Sequence, residues 1–257
     1  MEPVFRALEV TAEAVTRITG TRISYQGLEH IPTDGGAVVA INHTSYVDWL
    51  PAALAVKHRG RRLRFMIKSE MEQVAAVGFL IRHTGTIPVD RRAGAGAYAV
   101  AVESLRAGEL VGVYPEATIS RSFELKEFKT GAVRMAQEAG VPIVPLIVWG
   151  AQRIWTKDHP RALGRRKIPI AVEVGPALAP SGTVAVLGTA LRETMTALLH
   201  RAQDGYDHPA GAFWVPQRLG GAAPTPAEAR RLEEAELAER ARRRTGEGPE
   251  GESRAPR

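Results

Sequence analysis

The sequence predicts an α/β domain, a single central sheet, mostly parallel or mixed, flanked by helices. An amphipathic helix precedes it and a polar tail follows. Two observations carry that expectation. Apolar runs of strand length alternate with helical patterns from Arg22 to about Gln203, as strand–helix–strand crossovers require. The composition also supplies a core, since 44% of the 257 residues are apolar, ample for one large domain.

The elements follow in order. In Pro3–Ile18, Val4, Leu8, Val15 and Ile18 share one side, with Thr11 between them, and Glu2, Arg6, Glu9, Glu13 and Arg17 share the other. This spacing predicts an amphipathic helix within residues 1–20. Its apolar side is expected to pack on the main domain; a place on a membrane surface is the alternative, weakened by the mixed charge. Strands are predicted at Ala37–Ile41, Leu63–Ile67, Thr86–Val89, Leu110–Tyr114, Ile143–Trp149 and Ile168–Val174. Helices are predicted at Val47–Lys57, Met71–Ile81, Tyr98–Ala107 and Val133–Ala139, the last stopped by Gly140. A helix over Val184–Ala202 closes a domain spanning 21–210. From 211 to 257 the character changes: Gly220, Gly221, Pro224 and Pro226 form a linker, 227–244 alternate Glu and Arg, and Gly246–Arg257 is polar and of low complexity. This tail reads as a solvated helix followed by disorder.

Composition removes several function classes. No cysteine is present, which excludes disulfides, thiolate metal sites and a cysteine nucleophile. No stretch approaches the ~18 consecutive apolar residues of a membrane span. Glu2, Glu9 and Glu13 break up any signal-peptide core. The 34 Lys and Arg exceed the 28 Asp and Glu by six. From Arg218 onward nine Arg face eight Glu, so the excess belongs to the domain and asks for an anionic partner.

Four blocks carry chemistry. The first is Asn42-His43-Thr44-Ser45-Tyr46-Val47-Asp48, directly after a predicted strand. On one continuous helix a five-residue spacing would turn His43 and Asp48 apart. If Ser45 caps the helix and Asp48 is its third residue, the carboxylate can reach back to the imidazole. It would fix the tautomer and leave the other ring nitrogen as a base. Equally, Asp48 would merely complement the helix dipole. The second block, Gly85-Thr86-Ile87-Pro88-Val89-Asp90-Arg91-Arg92, ends a strand in paired arginines, which suit a phosphate or an ordinary surface. The third, Val113 to Ser122, gathers Glu116, Thr118, Ser120, Arg121 and Ser122 in a loop fit for polyhydroxyl or phosphate recognition, or for a turn. The fourth, Val141-Pro142-Ile143-Val144-Pro145, reads as packing.

In this order the blocks resemble the glycerolipid acyltransferase superfamily, in particular the 1-acyl-sn-glycerol-3-phosphate acyltransferases. The pattern N-H-x-S-x-x-D is matched at Asn42, His43, Ser45 and Asp48, and G-x-I-x-x-D-R at Gly85, Ile87, Asp90 and Arg91. F-P-E-G-T-R-S is matched by Tyr114-Pro115-Glu116-Ala117-Thr118-Ile119-Ser120, followed by an F-K-x-G at Phe128-Lys129-Thr130-Gly131, and V-P-I-V-P throughout. Ala117 and Ile119 depart from the third block, which bears on the identity of the acyl acceptor, with Arg121 or Arg91 left to supply the charge.

The resemblance implies direct acyl transfer from acyl-CoA or acyl carrier protein, a co-substrate rather than a bound cofactor, to a lysophospholipid hydroxyl. It implies His43 as base, Asp48 as its support, and Arg91, Glu116 and Thr118, with Arg121, around the glycerol phosphate. Amides after Ser45 are expected to stabilise the oxyanion. No metal is expected. The run Lys57-His58-Arg59-Gly60-Arg61-Arg62-Leu63-Arg64 and the cluster Arg161, Arg165, Arg166 and Lys167 are solvated turns, or contacts for anionic lipid headgroups or an acidic carrier protein. A peripheral enzyme on the cytoplasmic face of the cell membrane is the expectation. A lipid esterase using the same pair is one rival. A nucleic-acid-binding module is another, disfavoured because no motif or aromatic interleaving supports it.

Overall fold

The computed structural model describes residues 3–68, 84–89, 94–162 and 164–245. The chain divides into two compact units, Met1–Ser120 with Leu125–Asp207, and Arg121–Glu124 with His208–Arg257.

The first unit holds a seven-stranded sheet. Its strands are β1 (Arg22–Gln26), β2 (Ala37–Ile41), β3 (Leu63–Lys68), β4 (Ile87–Val89), β5 (Leu110–Val113), β6 (Ile143–Trp149) and β7 (Pro169–Val174). They lie in the order β1-β7-β6-β2-β5-β3-β4. All neighbours are parallel except β6 and β7, so the predicted mostly parallel α/β sheet is what the chain forms. The central strands β2 and β6 are buried along their whole length, which is why their sequences AVVAI and IVPLIVW are almost uninterruptedly apolar. β1 lay outside the predicted strands. Its sequence RISYQ alternates in exposure and pairs only with β7 at the sheet edge, so it lacks the continuous apolar run of the central strands.

The helices of this unit are α1 (Pro3–Thr19), α2 (Trp49–Lys57), α3 (Gly94–Arg106), α4 (Gly131–Ala139) and α5 (Val184–Asp204). Gly140 ends α4 with φ +70°, a left-handed stop that glycine adopts without steric penalty. The expected helix Met71–Ile81 lies outside the described residues. Among the described residues no helix is long and apolar enough to cross a membrane.

The acidic side of α1 meets the domain: Glu13 pairs with Lys57, and Glu9 with Arg62 at 3.5 Å. Of the apolar residues named on its other side, Val15 and Ile18 are exposed, Ile18 by 73%, and Val10 is 59% exposed. The basic run 57–64 also meets the protein's own oxygens. Besides those two pairs, Arg59 donates to the carbonyl of Ile31, and Arg61 to those of Pro32, Gly35 and Gly108. Arg64 pairs with Glu109 at 2.9 Å. The run thus supplies the partners of Glu9 and Glu13.

In the second unit the predicted charged helix is α6 (Pro226–Thr245). Thr225 caps it reciprocally: its hydroxyl accepts the Glu228 amide at 3.2 Å, and Glu228 accepts the Thr225 amide at 2.7 Å.

Candidate active site

The site forms at the carboxyl ends of the parallel strands, where open α/β sheets bind ligands. β2 leads directly into Asn42, whose side chain extends the ladder to β6. Asn42 Nδ2 donates to the Val148 carbonyl at 3.0 Å, and the Val148 amide donates to Asn42 Oδ1 at 2.7 Å. That double bond fixes the point at which the chain leaves the sheet, and His43 follows at once.

His43 Nδ1 lies 3.3 Å from Asp48 Oδ2. The same oxygen accepts the amides of Thr44 at 2.8 Å and Ser45 at 2.7 Å. Asp48 is fully buried and its Oδ1 has no hydrogen-bond partner among the described residues. Burial pushes its carboxyl above the ordinary aspartate range, while His43 and the two amides pull against that shift. The His43 side chain is 20% exposed, and its ring stacks on Tyr114 at 4.2 Å between centroids. The arrangement is a partly exposed imidazole tethered through Nδ1.

The loop is held from outside as well. Ser45, buried, sets its hydroxyl 2.6 Å from the Trp155 carbonyl and 3.0 Å from that of Ala151, and accepts the Val47 amide at 3.1 Å. Thr156 donates to the Thr44 carbonyl at 2.7 Å, and the Tyr46 amide to Trp155 at 3.1 Å. The expectation for Ser45 as helix cap is therefore corrected: α2 begins at Trp49 with Asp48 flanking it. Only half of the capping box is made, Asp48 reaching back to the Ser45 amide. With the amides of Thr44, Ser45, Tyr46 and Val47 all donated within the protein, none of these four faces an oxyanion.

Glu116, in the loop after β5, is buried. Its Oε1 accepts the His43 amide at 2.8 Å and its Oε2 the Lys126 amide at 3.0 Å. Burial pushes its carboxyl up to about 7, against the pull of those two amides and of Lys126. Ser120 adds a third strap, its amide donating to the His43 carbonyl at 2.8 Å.

A family model described as acyltransferase matches residues 22–149, the span that contains this loop system. Residues 22–149 belong to the acyltransferase family. It is 32% identical over 123 residues to a 1-acyl-sn-glycerol-3-phosphate acyltransferase of Bacillus subtilis (strain 168), covering 48% of this chain and 60% of that one. It is 26% identical over 152 residues to the protein of the same name from Borreliella burgdorferi, covering 55% and 56%. The matches thus span about half the length of these curated relatives. The crystal structure of the 1-acyl-sn-glycerophosphate (LPA) acyltransferase PlsC from Thermotoga maritima superposes with a TM-score of 0.65 at 21% identity, covering 80% of this chain and 82% of that one, which shows a shared fold.

The remaining candidate residues separate into three groups. His43 and Asp48 meet as expected. Glu116 and Arg121 were expected around the glycerol phosphate, and both are otherwise engaged. The Glu116 carboxylate braces two backbone amides, and in the second unit Arg121 pairs with Glu236 at 2.9 Å, its side chain 11% exposed. Thr118 is half-buried and its hydroxyl bonds to Lys126 Nζ. Arg91 lies outside the described residues. Ala117, where the family pattern has glycine, has φ +61°, which explains the pattern, because a side chain is disfavoured there. Gly85 also has φ +61°, and a Cβ on it would meet Arg64 Nη1 at 1.5 Å.

Asn42, Tyr114 and Lys126 were not assigned roles from the sequence. Asn42 and Tyr114 stand inside the quoted blocks, but nothing local ties Asn42 to Val148, 106 residues on. Lys126 falls between two blocks and carries no signal of its own.

Proposed function

We propose that this acyltransferase moves a fatty acyl group from a thioester donor to the free hydroxyl of 1-acylglycerol 3-phosphate, giving phosphatidate. The observation that carries the reading is the His43–Asp48 pair, with Nδ1 tied down and the ring partly exposed. His43 Nε2 takes the proton of the acceptor hydroxyl as its oxygen attacks the thioester carbonyl. Asp48 stabilises the imidazolium that forms. Collapse of the tetrahedral adduct breaks the C–S bond, and the departing thiolate takes the proton from His43. No acyl-enzyme is needed: the chain has no cysteine, and the Ser45 hydroxyl is buried against two carbonyls. Acyl-CoA and acyl carrier protein are the donors considered.

The acceptor is a membrane lipid, and we assign the protein a peripheral place on the cytoplasmic face of the cell membrane. The outward apolar residues of α1 support this. The Lys167 amide donates to the Thr19 carbonyl, and the exposed Arg165 and Lys167 lie beside Gly20 at the end of α1. Cations near an anionic surface contribute about 1 kcal/mol each.

Incubation of the purified protein with lysophosphatidate and acyl-CoA tests the reading. Phosphatidate supports transfer, free fatty acid instead points to an esterase, and neither product leaves a binding protein.

A further inference from the structure

An acceptor that carries a phosphate needs a cation close to the base, because its reacting hydroxyl and its phosphate sit on neighbouring carbons. Position 119 does not offer one: Ile119 is 7% exposed and belongs to the buried apolar set. Arg121 is held by Glu236 in the second unit. Lys126 does stand beside the third block, its Nζ bonded to Thr118 Oγ1.

The backbone of Lys126 is tied to that of His43 through one carboxylate. Glu116 accepts the Lys126 amide on Oε2 at 3.0 Å and the His43 amide on Oε1 at 2.8 Å. From the other side Arg192 of α5 donates to the carbonyls of Lys126 and Leu125, and its guanidinium lies 5.7 Å from the Phe128 ring centroid. The Lys129 amide donates to the Pro115 carbonyl at 2.8 Å, closing the segment back onto the loop. The ammonium is therefore carried on backbone fixed to the same scaffold as the imidazole.

We propose that Lys126, with the Thr118 hydroxyl beside it, binds the phosphate of the acyl acceptor and replaces the cation that Ile119 lacks. The inference rests on the lysophosphatidate reading above. An ammonium has three N–H groups and can serve a hydroxyl and an oxyanion together. The carboxyl that shares its surroundings, Glu116, is pushed up to about 7 by burial, which lessens the repulsion a phosphate meets there.

The test compares lysophosphatidate with monoacylglycerol, which offers a hydroxyl without the phosphate, using the full-length chain and one acyl-CoA. Lys126→Met keeps the stem and removes the charge. It is expected to raise KM for lysophosphatidate at least about tenfold while kcat and KM for acyl-CoA stay within about threefold. Preference for lysophosphatidate over monoacylglycerol should fall by a similar factor, and Lys126→Arg should restore most of it. An unchanged KM, or equal losses on both acceptors, overturns the proposal, the latter because it marks a structural role. Should Lys126→Met not melt cooperatively, Lys126→Gln, which can still bond Thr118, carries the same comparison. A wild-type protein that acylates monoacylglycerol but not lysophosphatidate would overturn the acceptor reading itself, and the role of Lys126 with it.

Discussion

Asp48→Asn separates charge from geometry at this site. Asp48 Oδ2 accepts all three hydrogen bonds, from His43 Nδ1 at 3.3 Å, the Thr44 amide at 2.8 Å and the Ser45 amide at 2.7 Å. An amide oxygen in that place keeps all three, while the amine takes the position of Oδ1, which has no partner among the described residues, and a buried donor left unsatisfied costs about 1–3 kcal/mol. At the imidazole the substitution keeps the geometry and removes the negative charge. At an effective dielectric near 20, a pair of unit charges about 4 Å apart interacts by about 4 kcal/mol. At 1.36 kcal/mol per decade that is roughly a thousandfold in kcat, with KM for both substrates little changed. Two opposed effects act on stability, the unsatisfied amine lowering it and the loss of the buried carboxyl raising it. Burial raises the Asp48 carboxyl above its unfolded value, so the native state binds its proton more tightly. The contribution of this group to stability falls as pH rises through the folded value, and the variant is free of that penalty at pH 7. Steady-state acyl transfer and thermal melts at pH 7 are the measurements. A kcat within about fivefold of wild type would refute the role of the charge. A thousandfold loss with a matching drop in melting temperature would show that the loop had collapsed instead.

Three further outcomes are expected. Glu116→Gln leaves one of two backbone donors facing an amine, so kcat should drop at least about tenfold as His43 loses its brace. The Glu116 carboxyl is raised from 4.5 to about 7, so its contribution to stability is present below 4.5 and is lost as pH rises to 7, about 3 kcal/mol in all; melts across that window should show a shallower decline for the variant. Ala117→Gly, at φ +61°, should be neutral or stabilising by up to about 1 kcal/mol, where the same change at an ordinary position costs about that much; chemical denaturation decides. Replacing Val10 and Ile18 together by Glu should leave the melt unchanged and weaken sedimentation with anionic vesicles at least about tenfold; undiminished binding removes α1 from the membrane face.

The sheet was legible because its central strands are buried on both faces. Ala37–Ile41 and Ile143–Trp149 stand in the sequence as apolar runs with the bounds they have in the fold. β1 was not, because RISYQ alternates over only five residues and lacks the continuous apolar run by which the other strands were read. The His43–Asp48 contact was one of two readings of the heptapeptide, and the resemblance to the acyltransferases singled it out. The chain turns at Thr44–Val47 before α2 begins, held by Ala151, Trp155 and Thr156 more than a hundred residues away. Local sequence cannot encode such partners. The ion pairs of α1 were not legible for the same reason: periodicity finds the two faces of a helix, but the partners of Glu13 and Glu9, Lys57 and Arg62, lie far along the chain. By contrast, the Thr225-x-x-Glu228 cap of α6 is purely local and stands plainly in the sequence.

The site gathers several departures from what folding alone would favour. Asp48 is a buried carboxylate with one oxygen unpartnered among the described residues, Glu116 a buried carboxyl between two amides, and Ala117 a side-chain-bearing residue in the left-handed region. Each sits within a few residues of β2 or β5, adjacent strands of the buried core. That placement is physically consistent: a carboxylate that must stay near an imidazolium needs low dielectric to be effective, and low dielectric makes it costly when unpaired. The Asn42–Val148 double bond resolves the conflict by pinning the loop to the central strands, so that local strain cannot relax by moving His43. Strain held in this way is a position for the base that the unfolded ensemble does not share. Of the residues that are costly in isolation, the two carboxyls are therefore the ones on which turnover depends, whereas Ala117 bears on stability alone.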